Sequence, residues 1–369
     1  MALKMKGVVK EEVKKTIIVG LIALLSVVLT YGFADAVTGA CVNCHTMHNS
    51  QNGTAVVTAG PQEALVRYAG CAGCHGQGTA NNIIAAGNIP QVLHSNLTDL
   101  AGGNFAYITG LKSRDTADSG ATFSSVGHNV RDLGSAYYDT ALSTPPGNEY
   151  GSTANAATNF TCAGTNGCHG DRTISGSMAA IKGAHHANVG GVLTTATTVA
   201  NSYRFLNGVH GYEDTDWQAS SSATDHNEYK GATGTGAPST VSTPGGNTIS
   251  GLCAECHGTF HYGATDVGTQ SPWLRHPTDI VLPISGEYAQ YNTPNTGATQ
   301  YALNAPLGRQ TIAAASGTIT LGTDTVICLS CHKAHASANA DILRWNYEDI
   351  NAGGGSDTTR CFICHTTKD

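Results

Sequence analysis

The feature that most constrains this chain is the arrangement of its cysteines, because all 12 fall into six pairs and each pair is followed at once by a histidine. The six sets are Cys41, Cys44 and His45; Cys71, Cys74 and His75; Cys162, Cys168 and His169; Cys253, Cys256 and His257; Cys328, Cys331 and His332; and Cys361, Cys364 and His365. Five sets have the spacing Cys-x-x-Cys-His, which is typical of covalent attachment of haem c. Each thiol can add to one vinyl group of a porphyrin, and the histidine can bind the iron from one face. The sequence therefore predicts several covalently bound haems.

The third set departs from this spacing, because five residues separate Cys162 from Cys168. The insert is rich in glycine, so its backbone can bulge outward while both sulfurs still reach one porphyrin. The alternative is a local disulfide with an incidental His169. We predict a sixth haem c at this site.

Two other kinds of site could use 12 cysteines. An exported chain could join them in a disulfide scaffold, but that leaves six histidines placed directly after six second cysteines without a reason. Zinc sites combine cysteine and histidine, but they usually use separated pairs rather than a histidine fused to the second cysteine. Six haems account for every cysteine and for six of the 16 histidines.

The other ten histidines are candidates for the second axial position of each iron. They are His48, His94, His128, His185, His186, His210, His226, His261, His276 and His335. Beyond residue 36, only Met47 and Met178 offer a thioether. Most or all irons are therefore predicted to have two histidine ligands, and the lack of methionine ligation implies low reduction potentials. Two protein ligands leave no open position for a substrate, which favours electron transfer over catalysis.

Three of these histidines, His48, His261 and His335, follow a motif histidine by three or four residues. The second ligand must approach the opposite face of the porphyrin, and a histidine so close in sequence cannot easily reach around its own haem. Each is predicted to bind a neighbouring haem, which would tie the haems into a chain. His210 and His226 are as consistent with solvated surface histidines as with ligands.

Composition predicts little regular structure. Glycine makes up 45 of the 369 residues, about 12%, where ~7% is usual, and only 12% of residues are charged. A chain with few large side chains gains little from a protein core alone. We therefore expect mostly coil with short helices and minimal β structure, in an elongated multihaem c-type cytochrome wrapped around a haem stack. Local patterns predict a short helix at 61–68, an exposed loop over 213–250 and a hairpin over 310–327.

The first 36 residues are predicted to be a cleaved signal peptide. Five lysines precede an uncharged run from Thr16 to Ala34, and Ala34-Asp35-Ala36 is a small-x-small cleavage site. The alternative is an uncleaved anchor, since 19 uncharged residues could just span a bilayer. No second long apolar run follows, so residues 37–369 are predicted to form a single domain without an integral membrane segment. Removing five lysines and three acidic residues leaves 14 basic against 23 acidic, a net charge of −9, which does not suggest nucleic-acid binding.

Residues flanking the motifs resemble a known family. The matching stretches are Cys44-His-Thr-Met-His48-Asn-Ser, Gly127-His128-Asn129, Cys253-Ala-x-Cys256-His257 followed by His261, Leu274-Arg-His276-Pro, Cys328-Leu-Ser-Cys331-His-x-Ala-His335-Ala-Ser, and the terminal motif near Lys368-Asp369. The chain thereby resembles the hexahaem outer-surface cytochromes of metal-reducing bacteria that polymerise into filaments, the OmcS type of cytochrome nanowire. The bare haem motif is shared by many unrelated cytochromes. The flanks are more specific, because they match in the same order over nearly the whole mature chain.

The resemblance implies six haems with two histidine ligands each, stacked closely as alternating parallel and crossed pairs. It implies that His48 binds the haem on Cys328 and Cys331 of the next subunit, so that copies of the chain join through a metal–ligand bond. The distal ligands predicted on all these grounds are His48, His128, His185, His261, His276 and His335.

One distal position departs from the family pattern. The family has a histidine three residues after the third motif, where this chain has Asp171-Arg172-Thr173. His185 is the first candidate to replace it, and His186 and His94 are the next candidates.

The sequence thus predicts an exported cytochrome that forms cell-surface filaments and conducts electrons from upstream cytochromes to extracellular acceptors. One alternative is a monomeric periplasmic electron shuttle, in which His48 must find its partner within its own chain. The other is a multihaem reductase of nitrogen oxyanions. Such enzymes usually have an open-site haem, often with lysine in place of the motif histidine, and no Cys-x-x-Cys-Lys occurs here.

Overall fold

A computed structural model of the protein describes a defined part of the chain. The described residues are 41, 44–45, 50–51, 54–55, 70–84, 89–142, 144–147, 160–181, 202–203, 205–231, 247–261, 276–292, 300–312, 314–353 and 358–368. The signal peptide, the helix expected at 61–68, and His48, His185 and His186 lie outside these residues. Those expectations stay predictions.

Helices among the described residues are short, as the glycine-rich composition predicts. The α-helices are α1 (Ala72–His75), α2 (Ala106–Thr109), α3 (Ser177–Ala180), α4 (Ile249–Ala254), α5 (Gly258–His261) and α6 (Cys328–Cys331). Short 3₁₀ helices occupy Arg131–Leu133, Ser135–Tyr137, Gly286–Gln290, Ala340–Ile342 and Arg360–Ile363. Helix α2 ends at Gly110, whose φ of 78° is the left-handed conformation that stops a helix. Within the described ranges, no helix has the length and apolar character needed to cross a membrane.

The strands contain two or three residues each. They are β1 (Ser50–Gln51), β2 (Thr54–Ala55), β3 (Ile83–Ile84), β4 (Ile89–Pro90), β5 (Thr161–Ala163), β6 (Gly167–His169), β7 (Ser202–Tyr203), β8 (Leu206–Asn207), β9 (Gly211–Tyr212), β10 (Glu228–Lys230), β11 (Ile280–Val281), β12 (Leu307–Arg309) and β13 (Thr325–Val326). Strands β1 to β8 form four two-stranded ladders between sequence neighbours. The predicted fold class is confirmed: the protein is mostly coil, with short helices and limited sheet.

The largest sheet in the described part has the strand order β11-β13-β12-β10-β9. Strands β10 and β12 are parallel, and the other neighbours are antiparallel. The bounds of the hairpin expected over 310–327 are wrong for one strand: β13 lies in that range, but its partner β12 precedes it, with Leu307 opposite Val326. The sheet contributes to an apolar cluster that also includes the buried side chains of Leu282, Tyr291 and Ile319.

The exposed loop expected over 213–250 is wrong for part of its length. Residues 226–229 are buried, and β10 is an internal strand of the five-stranded sheet. The guanidinium of Arg309 explains this burial, because it bonds the carboxylate of Glu228 at 2.9 Å and also that of Asp324. Polar residues are buried here because they pair with each other across strands, and composition does not reveal such pairing.

Apolar packing concentrates around the cysteine motifs. Four of the five apolar clusters among the described residues include a motif cysteine, namely Cys44 with Cys74, Cys162, Cys168 and Cys364. The clusters are small. Their placement fits a chain whose apolar surface is completed by a group attached at those cysteines.

Candidate haem-attachment sites

The five motifs with standard spacing share one local structure, a single helical turn. In each, the backbone N–H of the motif histidine donates to the carbonyl oxygen of the first cysteine, four residues earlier, over 2.8 to 3.0 Å. The two cysteines are three residues apart, so their side chains lie on the same side of the turn. The turn can therefore present two thiols and one imidazole to a single group.

The third motif uses strands instead of a turn. Strands β5 and β6 pair in parallel, with Thr161 opposite Gly167. A Cβ at Gly167 would lie 2.4 Å from the Thr161 carbonyl oxygen, so this approach needs glycine. Within the insert, Thr165 is exposed, whereas Ala163 is buried and packs against Ala180. The insert thus folds back on itself, and only its tip bulges outward.

Thiols of successive motifs interact electrostatically, in the order of the sequence. The interacting pairs are Cys44 and Cys74, Cys71 and Cys162, Cys168 and Cys256, Cys253 and Cys328, and Cys331 and Cys361. Burial first, and the neighbouring thiol second, raise the pKa of Cys74, Cys168 and Cys331 to about 12 each. These three thiols are therefore protonated at neutral pH. The contacts place the six motifs in space in their sequence order.

Three motif histidines face a histidine from elsewhere in the chain. The ring centroids are 6.1 Å apart in each of the pairs His128–His257, His169–His335 and His276–His365. An imidazole nitrogen binds a first-row metal ion at about 2 Å, so two imidazoles on opposite sides of one ion have centroids roughly 6 Å apart. The pairs therefore have the separation that the two axial ligands of one iron require. The residues present at these three motifs fit a haem.

Hydrogen bonds at Nδ1 leave Nε2 available in several of these side chains. Nδ1 lies 2.7 to 3.0 Å from a backbone carbonyl oxygen in His75, His128, His257, His276 and His332. A carbonyl oxygen only accepts, so Nδ1 carries the proton and Nε2 keeps the lone pair that a metal ion needs. Burial first, and His257 second, lower the pKa of His128 to about 4, so this ligand candidate is neutral at physiological pH.

His94 and His226 differ from this group, because both are 0% exposed. In His226, Nδ1 lies 2.9 Å from the Asn227 carbonyl oxygen and Nε2 lies 3.3 Å from the Ser316 carbonyl oxygen. Both ring nitrogens of His94 lie 3.3 to 3.4 Å from the side-chain nitrogen of Asn104. Neither histidine presents an accessible nitrogen, so both are left out of the ligand set proposed below.

The partner of His169 was not anticipated from the sequence. The sequence assigns no particular distal histidine to His169, and the structure brings His335 to it. His185, the first candidate to replace the missing family histidine, lies outside the described residues. Another distal candidate, His261, is the last residue of α5, and its side chain also lies outside the described part. The signal that could have indicated His335 is the pair of adjacent glycines at 102–103, because Gly102 bonds His335 and Gly103 lies against Ala336, over 200 positions later.

Backbone contacts hold His335 in place. Its N–H donates to the Gly102 carbonyl oxygen over 2.7 Å, and its own carbonyl oxygen accepts the N–H of His128 over 3.0 Å. One segment thus positions two distal candidates. Gly103 has a φ of 90°, and an added Cβ would lie 2.0 Å from the Ala336 carbonyl oxygen. This close approach therefore requires glycine at 103.

Replacing Gly103 with Ala should destabilise the protein by about 3 kcal/mol or more, because left-handed strain adds to a backbone clash. Gly110→Ala is the matched control. Gly110 also has a positive φ, of 78°, but no atom lies within 4 Å of an added Cβ. Strain alone should cost about 1 kcal/mol there. Thermal unfolding measures both losses, and equal losses would contradict the importance of the contact with Ala336.

An ion pair joins the third and fourth motifs. Nη2 and Nε of Arg172 donate to the two carboxylate oxygens of Glu255 at 2.7 and 3.2 Å, and Nη1 donates to the Asn207 carbonyl oxygen at 3.0 Å. Glu255 lies between the two cysteines of the fourth motif. Bidentate pairing constrains orientation as well as distance. Arg172 therefore fixes the position of one motif relative to the next.

The fifth motif differs from the three paired motifs in its axial surroundings. Nδ1 of His332 donates to the Asp341 carbonyl oxygen at 2.8 Å, as in other motifs. Among the residues that the structure describes, however, no second imidazole faces His332 at the separation seen in the three pairs. The imidazoles of His128 and His257 interact with His332 electrostatically, but they face each other.

Repeated cysteine–histidine turns with facing imidazoles define a c-type cytochrome that binds more than one haem c covalently. A protein-family model described as a doubled CXXCH motif matches residues 322–369. The chain is 28% identical to C-type cytochrome OmcS of Geobacter sulfurreducens, over 91% of this chain and 86% of that protein. This similarity confirms the resemblance to the OmcS type.

Two solved structures are also similar to the chain. The outer membrane cytochrome S filament from Geobacter sulfurreducens is 21% identical, over 85% of this chain and 84% of its own, with a TM-score of 0.45. The OmcS nanowires from the same organism are 23% identical, over 90% of this chain and 91% of their own, also with a TM-score of 0.45.

Proposed function

We propose that this chain is an exported hexahaem c-type cytochrome that polymerises into a filament and conducts electrons to extracellular acceptors. The observation that carries the proposal is the set of three histidine pairs with centroids 6.1 Å apart. Two protein ligands at one iron leave no position for a substrate, which suits electron transfer rather than catalysis. Haem c supplies the iron that is reduced and reoxidised.

The proposed ligand set extends the motif pattern to all six sites. The 12 cysteines hold six haems, and the histidine that ends each motif is the proximal ligand. The distal ligands proposed from the pairs are His128 opposite His257, His335 opposite His169, and His276 opposite His365. His48, His261 and one of His185 and His186 are the candidates for the other three irons.

The contacts between thiols support a continuous line of haems. Each motif interacts with the next, so an electron would pass only between neighbours in the series. Five of the histidines are fixed at Nδ1 by backbone carbonyl oxygens, which hold their orientation when the charge of the site changes. Close spacing and fixed ligands are what conduction along such a chain needs.

The surroundings of His332 support polymerisation. Among the described residues, no imidazole faces His332 as in the three pairs, so we assign its distal position to His48 of the partner subunit. The relatives with solved structures are named as a filament and as nanowires. A ligand supplied between copies would join each subunit to the next and continue the line of haems.

The proposal includes export and the partners that follow from it. Residues 1–36 would be removed, and residues 37–369 would form one domain with a net charge of −9. Upstream cytochromes would donate electrons at the cell surface, and extracellular acceptors would take them. No nucleic acid or membrane segment has a part in this function.

Intact-mass measurement of the purified protein tests the haem count. We expect six covalent haems in the wild type and five when Cys162 and Cys168 are both replaced by Ser. Thr165→Ala, at the exposed tip of the same insert, is the matched control and should keep six. The hexahaem assignment would be overturned if the wild type contained five haems and the double serine variant also contained five.

A further inference from the structure

The fifth and sixth motifs differ in the half-buried or buried charged side chains beside their attachment sites. A carboxylate lies behind the histidine of the sixth motif, and a guanidinium lies opposite a cysteine of the fifth. The thiols of Cys331 and Cys361 interact, so the two sites adjoin. This contrast bears on the reduction potentials of two neighbouring haems.

The negative charge at the sixth motif belongs to Glu287. Its Oε2 lies 3.4 Å from Nδ1 of His365. By contrast, His75, His257 and His332 place Nδ1 beside neutral carbonyl oxygens. The carboxylate of Asp341 also interacts with His332, but Asp341 is exposed, so water screens its charge. A carboxylate behind a metal-bound imidazole makes that ligand more basic. A more basic ligand stabilises the oxidised iron, so Glu287 lowers the potential at this site.

The positive charge at the fifth motif belongs to Arg344. An antiparallel bridge pairs His332 with Leu343, and the N–H of Arg344 donates to the Cys331 carbonyl oxygen over 2.8 Å. Arg344 is therefore directly opposite Cys331, and side chains opposite each other in a ladder lie on the same face. The guanidinium donates to two backbone carbonyl oxygens, at 2.7 and 3.4 Å, and both are neutral.

The charge of Arg344 is not balanced by a carboxylate. Lys112, Arg172 and Arg309 each lie within 2.9 Å of a carboxylate oxygen. Among the described residues, Arg344 has no carboxylate within 4.0 Å. Its side chain is half-buried, where an unbalanced charge acts more strongly than in water. Positive charge favours the reduced form of a nearby iron, so it raises the potential at this site.

We propose that the chain builds a step in reduction potential between two neighbouring haems, with the haem on Cys328 and Cys331 above the haem on Cys361 and Cys364. The inference rests on the proposed attachment of haem at both motifs. An electron would then reside preferentially at the fifth motif. That motif is also the one proposed to receive His48 of the partner subunit, so the step lies at the junction between copies.

Potentiometric titration of the full hexahaem protein, followed by absorbance, tests the step with two variants of opposite expected sign. Arg344→Gln should lower the potential of one haem of the six, and Glu287→Gln should raise the potential of one. At a fixed applied potential, the ratio of reduced to oxidised iron at the affected haem should change at least tenfold, which is 59 mV for one electron. A general loosening of the fold would not shift the reduction potentials in the two variants in opposite directions.

Two control variants isolate the charge. Arg344→Lys keeps the positive charge and should retain wild-type potentials. Arg114→Gln should change none of them, because the described contact of Arg114 is with the Tyr107 carbonyl oxygen, outside the motifs.

Mass measurement separates this inference from the proposed function. A wild-type protein that lacks haem at either motif overturns the proposed attachment. Six haems with unmoved potentials in both glutamine variants overturn the step alone. If Arg344→Gln yields no folded protein, Glu287→Gln alone tests the step in reduction potential. Unchanged potentials in that variant would overturn the step.

Discussion

Replacing His48 with Ala should abolish filaments while each chain keeps its six haems. His48 follows His45 too closely to reach the far face of its own haem, and no imidazole in the described part of the chain faces His332 as in the three pairs. The variant would therefore lose one metal–ligand bond at every junction between subunits. Electron microscopy measures filament formation, and intact mass counts the haems.

Spectroscopy adds a second signature to this variant. Each unassembled chain should contain one iron with a single protein ligand, which gives a high-spin signal in electron paramagnetic resonance. Met47→Ala is the matched control, because it alters the adjacent side chain and leaves the histidine in place. Unchanged filaments in His48→Ala would remove the proposed junction. Monomeric wild-type protein with six low-spin haems would favour the periplasmic shuttle.

The attachment sites could be predicted from the sequence because the interactions that build them are local. A cysteine pair three residues apart and a following histidine fit one turn, closed by a bond from the histidine N–H to the first cysteine. The same turn recurs in all five standard motifs. The outward bulge of the third motif could also be anticipated, because glycines flank its tip. Local spacing thus determines the position of the thiols and of the proximal imidazole.

The distal partners could not be predicted with the same certainty, because long-range contacts decide them. His335 reaches His169 through backbone bonds to residues near 102 and 128, and nothing in its spacing from His332 indicates that partner. The buried segment at 226–229 was missed for a related reason. Its polar side chains are stabilised by Arg309, some 80 positions later, so their composition alone suggested an exposed loop.

His335 and His94 are proposed to have different roles, His335 as a distal ligand and His94 as a structural histidine, and their alanine variants compare the two roles directly. His335→Ala should leave His169 without its axial partner and give a high-spin signal from one haem of the six. Added imidazole should enter the space vacated by the side chain and restore the low-spin state. Electron paramagnetic resonance with and without imidazole measures both effects.

His94→Ala should change stability instead of ligation. The His94 ring is 0% exposed and lies against Asn104, whose side-chain nitrogen also donates to the carboxylate of Asp99 at 2.9 Å. Removing the ring leaves a cavity beside buried polar groups, which should cost about 2–4 kcal/mol. All six haems should stay low-spin. A high-spin signal from His94→Ala, or its absence from His335→Ala, would reverse the two roles, because only an axial ligand changes the spin state of the iron when it is removed.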